Sequence, residues 1–462
     1  MRQQKIVIVG AGLAGLTCAL ELSTAGFDVE VLEARDVVGG RTSSWVDDGM
    51  PVESGLHRVL GFYREFPDLL QRSGICLDDI VFWEDEIEIR VPDPCGRAVL
   101  GVAPVYRPAE TLLGSVNILR LLSVADLLSL GPFFIGGLAE YFSDPSGLDQ
   151  WSVAEKARSY GVTANALRTL LVPLTSGLYF LPPEQYSSYA FFGVLGPYLP
   201  RLLSVRVGAF LGGMTEVMAA PIARAIERNG GVVKTAAPVD RLVVENGRVD
   251  GVEIGGTRTR AAHVVLATSL AAAQALIRSA LSSYAWFQPM LRLPSMPAVT
   301  IQMELDGPSM TVDHTTFGPG TALASFAEQC RTTFRGLPGR LSIILTPPQE
   351  FLEKDSAEIF AIACDDADRL GLRVRDHVTR YRVVKLPADF YSLSPGTDAL
   401  RPPQQTPVAG LTLAGDYTRQ EYLATMEGAV VSGRLAARVV RSALESTGSR
   451  HREVWMKDVR VG

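Results

Sequence analysis

"KIVIVGAGLAGLTCALELSTAGFDVEVLEA", residues 5–34, decides the fold. Ile6 to Val9 is an unbroken β-branched run, the mark of a strand buried on both faces. Gly10-x-Gly12-x-x-Gly15 follows at once and opens a helix. Leu16, Ala19, Leu20 and Leu22 recur at helical spacing until Gly26, and Val29 to Leu32 forms a second strand. At such a turn Gly10 permits the tight bend, Gly12 lets a diphosphate approach the backbone, and Gly15 lets helix and strand pack closely. The unpaired N–H groups of the first helical turn, Leu13 and Ala14 included, then meet the phosphates at the positive end of the helix dipole. Glu33 ends the second strand, with Ala34 and Arg35 behind it. Its carboxylate suits a ribose diol and repels a 2′-phosphate.

The next stretch, "EARDVVGGRTSSW" (33–45), carries Gly39-Gly40-Arg41 and Thr42. Paired glycines allow a second close backbone approach, and Arg41 offers a forked donor to a diphosphate. A plain nicotinamide cofactor does not need this element; a larger dinucleotide with a ribityl arm does. Here the chain resembles the FAD-dependent amine oxidase and carotenoid desaturase superfamily, in which E-A-x-x-x-x-G-G-R follows the first Rossmann unit. The resemblance implies that "VESGLHRVLG" (52–61) runs beside the flavin with Gly55 and His57. For His57 a flavin contact and a buried, hydrogen-bonded ring both remain open. Near the other end, "LAGDYTRQEYLATMEGAVVSGRLAARVV" (413–440) resembles the closing motif of plant- and cyanobacterial-type phytoene and ζ-carotene desaturases. By that resemblance Gly415 and Asp416 meet the ribityl chain or a phosphate, and the backbone at Met426 faces the flavin pyrimidine. A helix N-terminus there would stabilise negative charge on reduced flavin. Val239 joins the same cofactor-binding set. The resemblance also touches 207–231 and 377–411 and is strongest at 5–61 and 377–440.

With 462 residues, 47% apolar and 20% charged, the chain is too long for one ordinary core and too apolar for extensive disorder. The expected architecture is α/β: a discontinuous Rossmann-type FAD-binding domain, glutathione reductase-like, from 1–85, 207–275 and 405–445. An inserted α+β substrate domain takes 86–206 and 276–404, and 446–462 is a tail. Residues 105–200 read as apolar helix, Asn246-Gly247 as a hairpin turn, and "AAHVVLATS" (261–269) as a buried strand. Further strands are expected in 297–306 and 340–365, with the closing helix starting near Thr425. A net charge of −6 without a basic block argues against nucleic acid. Five scattered Cys with no CxxC pair suit reduced thiols in the cytoplasm. No metal centre is expected. The mean hydropathy of +0.16 points to a large buried apolar surface or a membrane contact. "ILRLLSVADLLSLGPFFIGGLAEYF" (118–142) is broken by Arg120, Asp126 and Glu140, leaving no run near the ~20 residues that span a bilayer. It reads as a helix pair lying on a membrane or as a buried helical hairpin. The resemblance favours the first, and with it a peripheral position on the cytoplasmic face.

The chemistry implied is hydride removal from a long apolar isoprenoid to flavin N5, with electrons passed to a membrane quinone or oxygen. Leu178, Tyr179, Phe180, Phe191, Phe192 and Tyr198 are candidates for lining an apolar tunnel; each can equally be ordinary core. No catalytic base is singled out beyond His57, Arg201, Arg206 and Thr425. Amine oxidation is the main rival. Amine oxidases tend to carry an aromatic residue where Thr425 stands, and a Lys in the strand corresponding to "AVTIQMELDG" (298–307), which has none. Hydroxysqualene dehydroxylation, natural-product oxidation, and FAD-bound lipid binding without turnover stay open beside it. Oligomeric state is not legible.

Overall fold

The computed structural model describes residues 4–92 and 95–458. Five parallel strands form one sheet in the order Val232–Lys234, Asp28–Leu32, Lys5–Val9, His263–Leu266, Leu411–Leu413. They come from three widely separated stretches of chain. The first strand alternates between two cores, which explains its unbroken apolar run. Ile6 and Ile8 face the helices Leu13–Thr24, Ala220–Arg228 and Met426–Asp458. Val7 and Val9 face a three-stranded meander, Arg241–Glu245, Arg248–Ile254 and Thr257–Arg260. Asn246 and Gly247 turn the meander's first hairpin, both with positive φ (50° and 73°) as a tight I′-type turn requires.

A second, seven-stranded sheet draws on 86–101 and 295–391. Its long strand Ser295–Leu305 lies between Gly339–Leu345 and Val378–Tyr391 and pairs antiparallel with both. The hairpin Ser44–Asp47/Met50–Glu53 is locked to this sheet by polar contacts. The Gln302 side chain donates to the Glu53 carbonyl (2.6 Å) and accepts from the Glu53 N–H (3.2 Å). Buried Arg340 donates to the Pro51 carbonyl (2.7 Å) and pairs with Glu304 (3.4 Å). Burial pushes the Glu53 carboxyl up to about 7 while the Met214 N–H, 3.1 Å away, opposes the shift. These contacts fix the direction in which residues 54–57 leave the hairpin.

Three expectations need correcting. Residues 340–365 are not strand throughout: Gly339–Leu345 is, but Ser356–Arg369 is a helix. Asp355 and Glu358 cap it reciprocally, and its buried Ile359, Ala363, Cys364 and Ala367 follow helical spacing. The 118–142 segment is neither a pair nor a hairpin within itself. A capping box between Ser123 and Asp126 starts a new helix, Val124–Ser143. The Asp126 carboxylate also accepts from Asn165 (2.9 Å) and Thr163, which pins the helix start to the short helix Ala164–Ala166. Its partner is the preceding Pro108–Arg120 segment, at a bend of 115°; among the described residues no single helix is long and apolar enough to cross a membrane. Finally, the closing helix runs without a break to Asp458, so no boundary falls at 445.

Candidate functional site

The first strand ends at Val9, and Gly10 turns the chain with φ 104°. A Cβ at Gly15 would sit 2.0 Å from the Gly10 carbonyl oxygen, so only glycine lets the helix start this close to the strand. Gly12 stands at the N-cap with no side-chain cap, and no acid occupies the first turn. The helix therefore presents bare N–H groups. Leu13 and Ala14, both buried, form that turn. The Gly39-Gly40 loop docks on it: the Gly39 N–H donates to the Ala11 carbonyl (2.9 Å), and a Cβ at Gly40 would lie 3.1 Å from the Gly12 Cα. Two glycine loops thus meet back to back, a cradle that any side chain would close.

Glu33 is buried at the end of the second strand. Its carboxylate accepts from the Ala11 N–H (2.8 Å) and the Arg35 N–H (3.0 Å), which orients it and leaves lone pairs for a diol. Ala34 is exposed, and the Arg35 guanidinium is spent on Ser43 (2.8 Å) and the face of Trp45 (4.5 Å). The Thr42 hydroxyl is spent on the Gly39 carbonyl (2.9 Å). Val239 is half-buried against the meander core, just beyond Ala236 and Ala237, whose N–H groups bond the carbonyls of Arg35 and Glu33.

Arg41 pairs with Asp416 at 2.6 Å. The Arg41 charge is shielded from bulk water, yet a third of its side chain is accessible, so it opens onto interior space. The second Asp416 oxygen, Oδ2, is buried without a partner. Asp389, at the end of strand Val378–Tyr391, lies within electrostatic reach of both. Burial first, then Asp416, push its pKa up to about 6 against the pull of Arg41. Sequence reasoning missed Asp389. It also missed Arg401, a buried guanidinium that holds the Asp416 loop. Arg401 donates to the carbonyls of Asp416 (3.4 Å), Tyr417 (3.4 Å), Thr418 (2.6 Å) and Gln420 (3.2 Å), and pairs with Asp398 (2.8 Å). Gly415 adopts φ 139°, where a Cβ would strike the Tyr417 ring at 2.5 Å.

The same loop leads to the closing helix. The Thr425 hydroxyl donates to the Tyr422 carbonyl (2.9 Å) and accepts from the Gly428 N–H (3.0 Å). Its one proton is thereby spent within the loop. Thr425 is a cap, and as a candidate catalyst it is withdrawn. Met426 is buried at the helix start. Glu427, fully buried, accepts from the N–H groups of Arg64 (2.8 Å), Glu65 (2.9 Å) and Phe66 (2.8 Å) and so caps the helix Glu65–Arg72. Burial pushes its pKa up, and the three N–H groups oppose the shift. A Cβ at Gly428 would lie 2.1 Å from the Tyr422 carbonyl oxygen.

Gly55 packs beside His57. The His57 Nδ1 is buried without a partner, and burial reinforced by the Arg41 charge pushes the ring down to about 4. His57 is therefore neutral at ordinary pH and is no reservoir for a proton lost near neutrality. Arg201 donates to the Phe62 carbonyl (3.1 Å). Arg206 is held between the rings of Trp83 (3.7 Å) and Tyr106 (4.3 Å). Tyr198 lies against Phe62 (3.9 Å) and Tyr422 (5.2 Å), which brings it to the Thr425 cap. Tyr179 stacks on Tyr186 (5.4 Å). Phe191 and Phe192 pack on Phe133 in the main core, and Phe180 meets Phe390 at its edge. Leu178 is 40% exposed.

The bare helix N-terminus, the doubled glycine loops, buried Glu33, accessible Arg41 and the orphaned Asp416 Oδ2 together fit a long dinucleotide. The sequence profile of the flavin containing amine oxidoreductase family matches residues 13–441. The chain is 28% identical to 15-cis-phytoene desaturase of Solanum lycopersicum, covering 94% of this chain and 77% of that one. It is 28% identical to a probable zeta-carotene desaturase of Synechococcus elongatus, covering 95% and 99%. In fold it is similar to an oxidoreductase from Methanosarcina mazei (TM-score 0.72, 20% identity, 93% and 99% covered). A putrescine oxidase bound to putrescine is equally alike (TM-score 0.73, 18% identity, 95% and 99% covered). The chain belongs to the flavin-containing amine oxidoreductase family and is an FAD-dependent oxidoreductase.

Proposed function

We propose that this enzyme desaturates a long apolar isoprenoid taken up at a membrane surface. The similarity to phytoene and zeta-carotene desaturases over 94–95% of the chain carries this reading. The flavin, when bound, supplies the hydride acceptor. The chain's own residues then have three tasks. The glycine cradle, Glu33, Arg41 and Asp416 hold the dinucleotide. The N-terminus of the closing helix favours negative charge beside Met426. The surrounding apolar walls position the substrate and exclude water.

The surface supports a lipid-borne substrate. Leu112, Leu113, Val116 and Leu119 are exposed (47–69%) on the segment Pro108–Arg120. Val124, Leu128, Ile135 and Phe142 are exposed (62–75%) along one stripe of Val124–Ser143, whose opposite stripe buries Asp126, Leu130, Phe133 and Gly137. Burying such side chains is worth about 1.5–3 kcal/mol each, so eight left open on two joined helices mark a face that something covers. A bilayer surface is that cover on this reading, and a quinone dissolved in it, or oxygen, takes the electrons. The peripheral, cytoplasmic-side position follows from the same reading.

Two experiments test it. Anaerobic mixing of the FAD-loaded enzyme with phytoene or ζ-carotene in liposomes should bleach the flavin; bleaching by a primary amine instead would replace this reading with amine oxidation. Leu128→Glu/Ile135→Glu should abolish co-sedimentation with liposomes without loss of the flavin spectrum. Undiminished co-sedimentation would remove the membrane from the reading.

A further inference from the structure

The apolar face formed by Pro108–Arg120 and Val124–Ser143 carries open charge at one place. Its two arms meet in a bend of 115°, and Leu119 (47% exposed) and Val124 (64%) stand open on either side of it. Arg120 is exposed at this elbow. Arg168, also exposed, reaches the elbow from a later turn. Its guanidinium donates to the Asn165 side-chain oxygen (2.9 Å). The Asn165 amide in turn donates to the Leu121 carbonyl (3.1 Å) and to Asp126 (2.9 Å). Asn165 therefore pins Arg168 to the backbone next to Arg120.

Other charges around this face are spent on one another. Arg107 pairs with Asp85 (3.2 Å) and Glu110 (3.7 Å), Lys156 with Glu140 (2.5 Å), and Arg158 with Glu184 (3.6 Å). The elbow's own acid, Asp126, is buried. One of its oxygens is taken by Ser123 and Asn165 and the other by Thr163. Arg120 and Arg168 have no carboxylate partner among the described residues. An apolar protein surface laid over this face would strip both charges of water and leave them unpaired, at a cost. A phospholipid surface supplies the apolar cover and the counter-charge together. A guanidinium is always charged and meets a phosphate with two parallel N–H groups. Its alkyl stem lies along acyl chains while its head stays at the interface.

We propose that Arg120 and Arg168 form a headgroup clamp at the elbow, by which the enzyme recognises anionic phospholipid when its apolar face lies on a bilayer. This rests on the membrane reading above and adds to it the kind of lipid and the point of contact. A basic residue close to an anionic surface contributes about fivefold to binding, and the effect fades within a Debye length. The net charge of −6 works against the pair, so the expected preference for anionic over neutral vesicles is about tenfold. With the elbow in the phosphate layer and both apolar stripes at the acyl boundary, the helix pair lies along the surface.

The test uses the FAD-loaded enzyme and two kinds of vesicle, phosphatidylcholine alone and phosphatidylcholine mixed with phosphatidylglycerol, read by co-sedimentation. At low salt, wild type should bind the mixed vesicles about tenfold more tightly. Added salt should erode that margin and leave binding to the neutral vesicles as it was. Arg120→Gln/Arg168→Gln should bring the ratio near one, with neutral-vesicle binding and the flavin spectrum unchanged. Arg158→Gln/Arg241→Gln removes the same charge from two arginines that already have partners, Glu184 (3.6 Å) and Glu253 (2.6 Å). It should keep most of the preference. A ratio near one in wild type, or one that the elbow substitutions leave in place, overturns the proposal. So does an equal drop in the control pair, which would trace the preference to net charge. Failure of the membrane reading looks different: neither kind of vesicle would sediment the enzyme.

Discussion

Replacing Glu427 isolates a structural task that its place in a flavin motif conceals. Its carboxylate takes three backbone N–H groups, from Arg64, Glu65 and Phe66, at 2.8–2.9 Å. Two converge on Oε1 and one on Oε2, at the N-terminus of a helix whose dipole favours a negative charge. Glu427→Gln keeps the shape and one acceptor oxygen. It turns an NH2 group toward one N–H, which strands that donor for about 1–3 kcal/mol, while burial already disfavours the charge it gives up. We expect a loss of about 1–3 kcal/mol. Glu427→Ala strands all three donors at about 1–3 kcal/mol each, so the expected loss is about 3–9 kcal/mol, comparable to the whole stability of many domains. The assay is urea unfolding of both variants at one fixed, saturating FAD concentration, since bound cofactor adds to apparent stability. Hydrogen exchange at residues 64–66 gives the local readout, and protection there should fall first. Glu427→Gln within about 0.5 kcal/mol of wild type, the size of an ordinary surface substitution, would refute the capping role. Equal losses in the two variants would show that side-chain volume matters and the hydrogen bonds do not.

Three further outcomes follow from the same geometry. Gly15→Ala, whose Cβ would fall 2.0 Å from the Gly10 oxygen, should yield protein that cannot retain FAD on gel filtration; normal retention would contradict the close-packing argument. Arg41→Lys should weaken FAD binding by about tenfold and Arg41→Ala by more, because Lys keeps a point charge but loses the fork that reaches Asp416. Titration of apoprotein with FAD checks this, and equal affinity for all three proteins would exclude Arg41 from the site. His263, 4% exposed with Nε2 2.8 Å from the Thr412 hydroxyl, is pushed by burial down to about 4. The unfolded chain protonates this ring below about 6.5 and the folded one does not, so its contribution is intact above 6.5 and lost as pH falls toward 4. His263→Gln should flatten that part of the urea-midpoint curve; parallel curves for the two proteins would show that His263 does not carry it.

What the sequence made legible was local. The β-branched run, the glycine spacing and Glu33 are all within 34 residues, and each is explained by neighbours in the chain. The two misplaced helices were also locally encoded, in Ser123-x-x-Asp126 and Asp355-x-x-Glu358, both capping boxes by sequence as well as by geometry. The apolar content of both stretches masks those short polar starts. Asp389, Arg401 and Glu427 were illegible for a different reason. The partners of Glu427 lie more than 360 residues earlier, and Asp389 gains its environment only where the strand Val378–Tyr391 ends against the Arg41–Asp416 pair. Such groups are defined by tertiary meeting points, and no spacing rule along the chain announces them.

The closing motif divides its work residue by residue. Glu427 looks backward and ties the closing helix to residues 64–66, and Gly428 is needed so that the loop can pass over it. Thr425 caps the helix, its proton spent on the Tyr422 carbonyl and its oxygen accepting from the Gly428 N–H. An aromatic residue at 425 would forfeit the hydroxyl that links the Tyr422 carbonyl to the Gly428 N–H, so shape and polarity are coupled at this position.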